Sequence, residues 1–146
     1  MSKPKKSWRE KLADAKDLPK TMVIPSPAEV DAVMRRVPKG RLATIAEIRA
    51  ALARAHRTDI ACPMTTGIFC WIAAHAAEEA RTAGAKRITP WWRTLKSGGE
   101  LNPKYPGGVP ALKRLLEAEG HKVTRKGRRH VVDNFEARLA RLSTES

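Results

Sequence analysis

Apolar residues recur every three or four positions in four stretches of the chain, which is the spacing of an amphipathic helix. The inward stripes are Val30, Val33, Met34 and Val37; Ile45, Ile48, Leu52 and Ala55; Ile68, Phe69, Ile72 and Ala76; and Leu112, Leu115 and Leu116. Each stretch is therefore predicted to form a helix with these side chains facing the core.

Two of the helix starts carry a capping box, in which two side chains accept hydrogen bonds from each other's backbone N–H groups. Ser26 and Glu29 form the first pattern, and Pro27 between them suits the first helical position. Thr44 and Glu47 form the second. Helices are therefore predicted to begin directly after Ser26 and after Thr44.

The third predicted helix covers residues 63 to about 82, and the fourth covers residues 109–119, where Gly120 can end it. A short turn joins the second helix to the third, and the first turn of the third helix is small and polar. This arrangement is typical of a helix-turn-helix.

Shorter elements complete the predicted fold. Strands are expected at residues 41–43 and 86–89, and residues 121–132 alternate apolar and basic side chains around a glycine, as a hairpin does. Short helices are expected at residues 7–15 and after the capping sequence at 133–136. The predicted fold class is mainly α, with a helix-turn-helix, short strands and a C-terminal basic hairpin.

The net charge indicates the kind of partner. The 146 residues carry 29 Lys and Arg against 15 Asp and Glu, a net charge of +14. This exceeds what solubility requires and predicts a polyanionic partner. The length suits one domain, and we divide the chain into a basic N-terminal tail (1–21), a central domain (22–120) and a C-terminal extension with the hairpin and last helix (121–146).

The two cysteines, Cys62 and Cys70, form no CxxC motif, and no histidine lies at metal-ligand spacing from them. We therefore expect reduced thiols, no metal and no cofactor. The N-terminus lacks an apolar signal core, and no apolar run reaches the length of a membrane span. The expected location is the cytoplasm, with nucleoid association if the source is bacterial, and no membrane partner.

The most unusual stretch is Pro90-Trp91-Trp92-Arg93, because neither a helical nor a strand period accounts for two adjacent tryptophans. The chain has only four tryptophans. A Pro- and Gly-rich segment at 97–108 follows and predicts an ordered loop.

Seven motifs, taken in order, resemble the C-terminal domain of the alkylguanine-DNA alkyltransferases, also called methylated-DNA-protein-cysteine methyltransferases. The resemblance covers residues 27–120 and is greatest to the alkyltransferase-like relatives, in which tryptophan replaces the acceptor cysteine. The motifs are Val37-Pro38-Lys39-Gly40-Arg41-Leu42-Ala43-Thr44, Thr66-Gly67, Pro90-Trp91-Trp92-Arg93, Gly99-Glu100-Leu101, Tyr105, Gly107-Gly108 and Leu115-Leu116-Glu117-Ala118-Glu119-Gly120.

The resemblance implies a winged-helix-like domain that binds the DNA minor groove and flips an alkylated guanine into a pocket. The family transfers the alkyl group to the cysteine of a Pro-Cys-His-Arg motif. That cysteine corresponds to Trp91, the activating histidine to Trp92 and the arginine to Arg93. Thiolate attack needs a sulfur and a base, so alkyl transfer at this position is excluded and the chain is not expected to be an enzyme.

The resemblance also implies two sets of site residues. The nucleobase pocket would be formed by Trp91, Trp92, Tyr105, Gly107 and Gly108. The DNA contacts would come from Met64, Thr65, Thr66 and Arg93. The hairpin lies outside the matched region, and its basic side chains either form a further DNA-contacting wing or are a solvated tip: Arg125, Lys126, Arg128 and Arg129.

Several of these assignments have alternatives. Trp91 either stacks on a flipped base or fills the space left by a degenerate active site. Met64, at the position of the family's intercalating arginine, either wedges between base steps or packs under the turn. Arg93 either contacts a phosphate or bonds structurally beneath the loop. Glu119, which orients the histidine in the family, would face solvent here.

Three functions are consistent with these features. The favoured one is a non-catalytic, monomeric protein that recognises alkylated or distorted bases in double-stranded DNA, through the minor groove, for a repair-pathway partner. The second is an architectural or regulatory winged-helix DNA-binding protein without lesion recognition. The third is a methyltransferase that uses Cys62 or Cys70.

Overall fold

The computed structural model describes residues 7–9 and 21–142. Within these residues the chain forms four α-helices: α1 (Pro27–Arg35), α2 (Ile45–His56), α3 (Pro63–Thr82) and α4 (Gly108–Ala118). They lie where the hydrophobic pattern predicts helices. The short helix predicted at 7–15 falls mostly outside the described residues.

Both predicted capping boxes are present. The Ser26 hydroxyl accepts from the Glu29 N–H at 3.2 Å, and the Glu29 carboxylate accepts from the Ser26 N–H at 3.1 Å. The Glu47 carboxylate accepts from the Thr44 N–H at 2.7 Å. Gly120 ends α4 as predicted, because its φ of +90° suits a residue without a Cβ.

The core forms where the apolar stripes of α1 and α2 pack against α3, and α4 packs against residues 91–93. Val30, Met34 and Val37 are completely buried, as are Ile48, Leu112 and Leu116. The prediction for the end of α2 is wrong: Ala55 is exposed, and Ala51 and Ala53 are buried instead.

The predicted inward stripe of α3 is also wrong. Ile68 and Ile72 are each 45% exposed and Ala76 is exposed, whereas Phe69 is half-buried. The buried residues of α3 are smaller: Thr66, Cys70, Ala73, Ala74 and Ala77. Small side chains let α3 pack closely on α1 and α2, so its large apolar residues lie at the surface.

The strands are short and pair across the chain. β1 (Met22–Val23) pairs in parallel with β3 (Ile60–Ala61), and β2 (Ala43–Thr44) pairs in parallel with β4 (Thr94–Leu95). The strand predicted at 41–43 is therefore shifted towards its C-terminal end, and the one predicted at 86–89 is absent. That segment crosses α1 instead, where the Thr89 hydroxyl donates to Asp31 at 2.5 Å.

The predicted basic hairpin is present as β5 (Val123–Lys126) and β6 (Arg129–Val132), paired antiparallel. The Leu101 N–H donates to the His130 carbonyl at 2.8 Å and so ties the hairpin to the preceding loop. The predicted last helix is a single 3₁₀ turn, Phe135–Arg138. Among the described residues, no helix has both the length and the apolar character needed to cross a bilayer.

Candidate nucleic-acid interface

Trp91 lies in a 3₁₀ turn, Trp91–Arg93, which β4 follows. Its side chain is only 2% exposed and meets Trp92 and Tyr105 edge to face, with ring centroids 5.8 and 6.3 Å away. Such arrangements are favourable for aromatic rings. The buried Trp91 indole N–H has no acceptor among the described residues.

A cavity of about 430 Å³ opens beside Trp91, and we call it the Trp91 cavity. This volume is within the range of small-molecule sites. Trp91 therefore lines an open cavity, while its side chain itself is almost completely buried. The walls come from the turn, the glycine-rich loop, α3 and α4: Ile88, Trp91, Trp92, Pro106, Gly107, Glu78, Arg81, Ala111, Arg114 and Leu115.

Of the predicted pocket residues, the structure brings Trp91, Trp92 and Gly107 to the cavity wall. Tyr105 is buried behind Trp91, and burial raises the pKa of its hydroxyl above the usual value. Gly107 has a φ of +75°, and a Cβ there would lie 2.5 Å from the Ala111 Cβ. Gly108 begins α4 and is not part of the wall. The loop that leads into α4 thus requires glycine at 107 for steric reasons.

Arg93 and Glu119 form a buried ion pair beneath the turn. The guanidinium Nε and Nη2 donate to the Glu119 carboxylate at 2.9 and 2.8 Å, and Nη1 donates to the Val37 carbonyl at 2.8 Å. Their side chains are 14% and 7% exposed. Burial alone would raise the pKa of the Glu119 carboxyl, but the hydrogen bonds and the charge of Arg93 outweigh it and lower the pKa.

This ion pair decides between the two alternatives for Arg93 and corrects the prediction for Glu119. Arg93 is not a phosphate contact, because its guanidinium is committed to Glu119 and to the backbone of Val37. Glu119 does not face solvent, because its carboxylate balances that guanidinium. Glu119 therefore anchors the turn that carries Trp91 and Trp92.

The outer side of α3 is an apolar surface, which we call the apolar α3 face: Met64, Ile68, Trp71 and Ile72. Met64 is 73% exposed and Trp71 is 43% exposed. Met64 therefore does not pack under the turn, which removes that alternative. Residues 58–80 contain no Lys or Arg, so this face is uncharged except near its C-terminal end.

The two threonines of the first turn of α3 do not present their hydroxyls as predicted. Thr66 is completely buried, so it cannot contact a phosphate. Thr65 is half-buried, and its hydroxyl donates to the Cys62 sulfur at 3.0 Å. The prediction of phosphate contacts by these side chains is therefore wrong for Thr66, and the Thr65 hydroxyl already has a partner.

A groove of about 550 Å³ runs between the apolar α3 face and the loop at 96–104. Ile45, Ile68 and Trp71 contribute apolar surface to the groove. Lys96 and Lys104 also line it, and the carboxylate of Glu100 in the same lining lies 3.9 Å from the Lys96 ammonium. The Trp71 Nε1 and the His75 Nε2 both donate to the Lys104 carbonyl, at 3.0 and 2.9 Å. The sequence analysis did not single out Trp71. The available signal was that α3 carries more large apolar residues than one buried stripe can hold.

The hairpin tip carries the predicted basic residues at the surface: Arg125, Lys126, Arg128 and Arg129 are all exposed. Arg125 donates to the Gly127 carbonyl at 2.9 Å and stays at the turn. Through Glu100 and Leu101, β6 is bonded to the loop that borders the groove. The hairpin and the groove therefore share one loop.

Neither cysteine is placed to act as a thiol nucleophile at the Trp91 cavity. Burial raises the pKa of the Cys70 thiol to about 12, so it stays protonated. The Thr65 hydrogen bond lowers the pKa of the Cys62 thiol, but Cys62 is not part of the Trp91 cavity. The described residues contain no cluster of three or more metal-binding side chains.

The fold is a helix-turn-helix domain, and it is similar to the folds of two solved alkyltransferase-like proteins. S. pombe Atl1 in complex with damaged DNA containing O6-carboxymethylguanine aligns with a TM-score of 0.54, and S. pombe ATL in complex with DNA aligns with 0.51. Each alignment has 18% sequence identity, and it covers 79% of this chain and 94% of the S. pombe chain. No protein-family model and no curated protein sequence matches this chain.

Proposed function

We propose that this chain is a non-catalytic protein that binds double-stranded DNA and recognises alkylated or otherwise distorted bases for a repair pathway. The observation that carries the proposal is the similarity of the fold to two proteins solved in complex with DNA, one of them with a damaged base, together with a cavity lined by Trp91 and Trp92. An indole has no thiolate to accept an alkyl group.

A flipped base suits the walls of the cavity. Base–aromatic stacking contributes about 1–3 kcal/mol per base without a reactive atom. The S. pombe Atl1 structure, which contains O6-carboxymethylguanine in its DNA, supports the choice of alkylated guanine as the ligand.

The apolar α3 face and the hairpin supply the DNA-binding surface in this proposal. Met64, at the exposed start of α3, would insert into the minor groove, as apolar wedges of architectural proteins do. The basic side chains at the hairpin tip would contact phosphates beside it. The protein acts as a monomer and hands the marked site to a repair partner.

The test compares binding of an O6-methylguanine duplex with binding of the unmodified duplex at one salt concentration. We expect tighter binding of the modified duplex, and Trp91→Ala should abolish this preference while general DNA binding persists. Because Trp91 is buried, Trp91→Phe is tested beside it and should retain part of the preference. Equal affinities of the wild type for both duplexes would refute lesion recognition.

A second candidate function is DNA bending without lesion recognition, and the exposed Met64 favours it. In that case Trp91→Ala would leave the ratio of the two affinities at one, while Met64→Ala would still reduce bending. In both functions the affinity should fall steeply as salt rises, because Lys and Arg displace counterions from the phosphates.

A further inference from the structure

The groove beside the apolar α3 face continues into a further cavity of about 670 Å³, which we call the hairpin cavity. Ser97 and Glu100 line both the groove and the hairpin cavity. From the hairpin, Lys126 and Arg129 line the cavity, whereas the other two basic residues of the tip do not. The four basic side chains of the tip are therefore not equivalent with respect to the groove.

The strand pairing explains this difference. Residues paired across a sheet project from the same face, and successive residues of a strand project from opposite faces. Lys96 pairs with Glu100, and Glu100 pairs with Val131 of β6. Arg129 lies two positions before Val131 and pairs with Lys126. These five residues therefore lie on one face, which begins in the groove and ends at the hairpin tip. We call it the groove-side face.

The other two basic residues of the tip lie elsewhere. Arg125 pairs with His130 and so projects from the opposite face of the hairpin. Its Nε also donates to the Gly127 carbonyl at 2.9 Å. Arg128 lies in the turn between β5 and β6. A molecule that follows the groove-side face would therefore meet Lys126 and Arg129 but not this second pair.

The charges along the groove-side face favour a polyanion at its tip. Within the described residues, the side chains of Lys126 and Arg129 make no hydrogen bond or ion pair with the protein. Glu100 is already paired in the groove. The other acidic residues of the hairpin cavity, Asp133 and Glu136, follow β6 and would repel a phosphate. The attraction for a phosphate is therefore confined to the strand ends at the tip.

A duplex bound at the apolar α3 face needs cations from the neighbouring elements, because residues 58–80 contain no Lys or Arg. We propose that the DNA backbone that passes the groove continues along the groove-side face, where Lys126 and Arg129 hold its phosphates, while Arg125 and Arg128 take no part. The inference rests on the proposed function, since it presupposes DNA at the apolar α3 face. It narrows four candidate phosphate contacts to two.

The experiment compares two double variants of the full chain that each remove two positive charges from the same hairpin. One is Lys126→Gln with Arg129→Gln, and its matched control is Arg125→Gln with Arg128→Gln. All four side chains are exposed, so both variants should unfold at the wild-type urea concentration. Fluorescence anisotropy measures the binding of an unmodified duplex and of an O6-methylguanine duplex at several salt concentrations.

The slope of the logarithm of affinity against the logarithm of salt concentration counts phosphate contacts, at about 0.9 for each. Lys126→Gln with Arg129→Gln should therefore make the slope shallower by about 1.8 on both duplexes, and Lys126→Gln alone should change it by about half as much. The control double variant should keep the wild-type slope. The preference for the modified duplex should be unchanged in all three variants, because a phosphate contact carries no information about the base.

The inference is wrong if the control double variant changes the slope as much as Lys126→Gln with Arg129→Gln does, since the face would then not matter. It is also wrong if Lys126→Gln with Arg129→Gln keeps the wild-type slope. In both cases tighter binding of the modified duplex by the wild type would still uphold the proposed function. Conversely, equal wild-type affinities for the two duplexes, together with the expected slopes, would refute lesion recognition and uphold the inference.

Discussion

Trp91 and Trp71 show two opposite uses of the same side chain. Trp91 is buried, belongs to a cluster of three aromatic rings and walls a cavity, whereas Trp71 lies half-exposed on α3 beside an open groove. A buried indole that walls a cavity can select one extruded base, whereas an indole at the surface can contact any bound DNA. The two sites should therefore separate selectivity from general affinity.

The supports of the two tryptophans differ as well. The turn of Trp91 is anchored by the buried Arg93–Glu119 ion pair. Trp71 is held by one hydrogen bond to the Lys104 carbonyl, next to that of His75. A change at the first support should cost stability, whereas a change at the second should mainly alter binding.

The largest expected effect follows from removing the first support. Arg93→Met should lower the free energy of unfolding by about 3 kcal/mol, because the Glu119 carboxylate stays buried without a partner. Urea unfolding measures this loss. Lys86→Met, an exposed lysine shortly before the turn, should change stability by less than about 0.5 kcal/mol. A loss of under 1 kcal/mol for Arg93→Met would show that the ion pair is not the anchor.

The comparison itself is tested by replacing Trp71. Trp71→Ala should weaken binding of modified and unmodified duplexes alike, by about tenfold, because a stacking surface is removed. Trp71→Phe keeps a ring and should lose less. Fluorescence anisotropy with both duplexes gives the two affinities. If Trp71→Ala changes the ratio between the duplexes as Trp91→Ala does, the two sites are not separate.

A smaller effect is expected from Met64→Ala, because its side chain is mostly solvent-exposed and the fold does not depend on it. DNA bending should decrease and affinity should fall by about threefold, since an inserted apolar wedge stabilises a kink. Energy transfer between dyes at the two duplex ends measures the bend. Met22→Ala, an exposed methionine on β1, is the control and should leave the bend unchanged.

The smallest effect is a pH dependence on the Trp91 side. Burial lowers the pKa of His121, so the folded state favours its neutral form. The unfolded chain therefore binds the proton more readily, and stability should fall as the pH drops below about 6.5. Urea unfolding between pH 5 and pH 7.5 measures the slope. His121→Gln should flatten it, and an unchanged slope would assign the effect to other groups.

The sequence predicted those parts of the fold that depend on local chemistry. Capping boxes at Ser26 and Thr44 located two helix starts, because a cap depends on residues three positions apart. The hairpin was predictable for the same reason, because its alternating pattern and its glycine lie within a few residues of one another. The face of α3 was not predictable in this way, because burial of Ala73 and exposure of Ile72 depend on how closely α1 and α2 approach.

The residues of the candidate site likewise include some that a local sequence motif could predict and some that only the folded chain brings together. The motif resemblance found Trp91, Trp92 and Gly107, all of which line the cavity. It could not find the partner of Arg93, since Glu119 lies 26 residues further along the chain and the ion pair exists only in the folded protein. The positions of Arg81 and Arg114 at the same cavity likewise depend on two helices meeting.

The backbone around Leu42 affects the order in which the protein folds during synthesis. Leu42 donates to the Arg138 carbonyl at 2.9 Å and accepts from the Ala140 N–H at 2.8 Å. The side chain of Leu42 is completely buried, as is nearly all of Leu142 near the other end of the chain. A nascent chain therefore leaves Leu42 uncovered until residues 138–142 have emerged from the ribosome. Chaperone binding to this segment, or aggregation through it, is a hazard of synthesis that the finished protein no longer has.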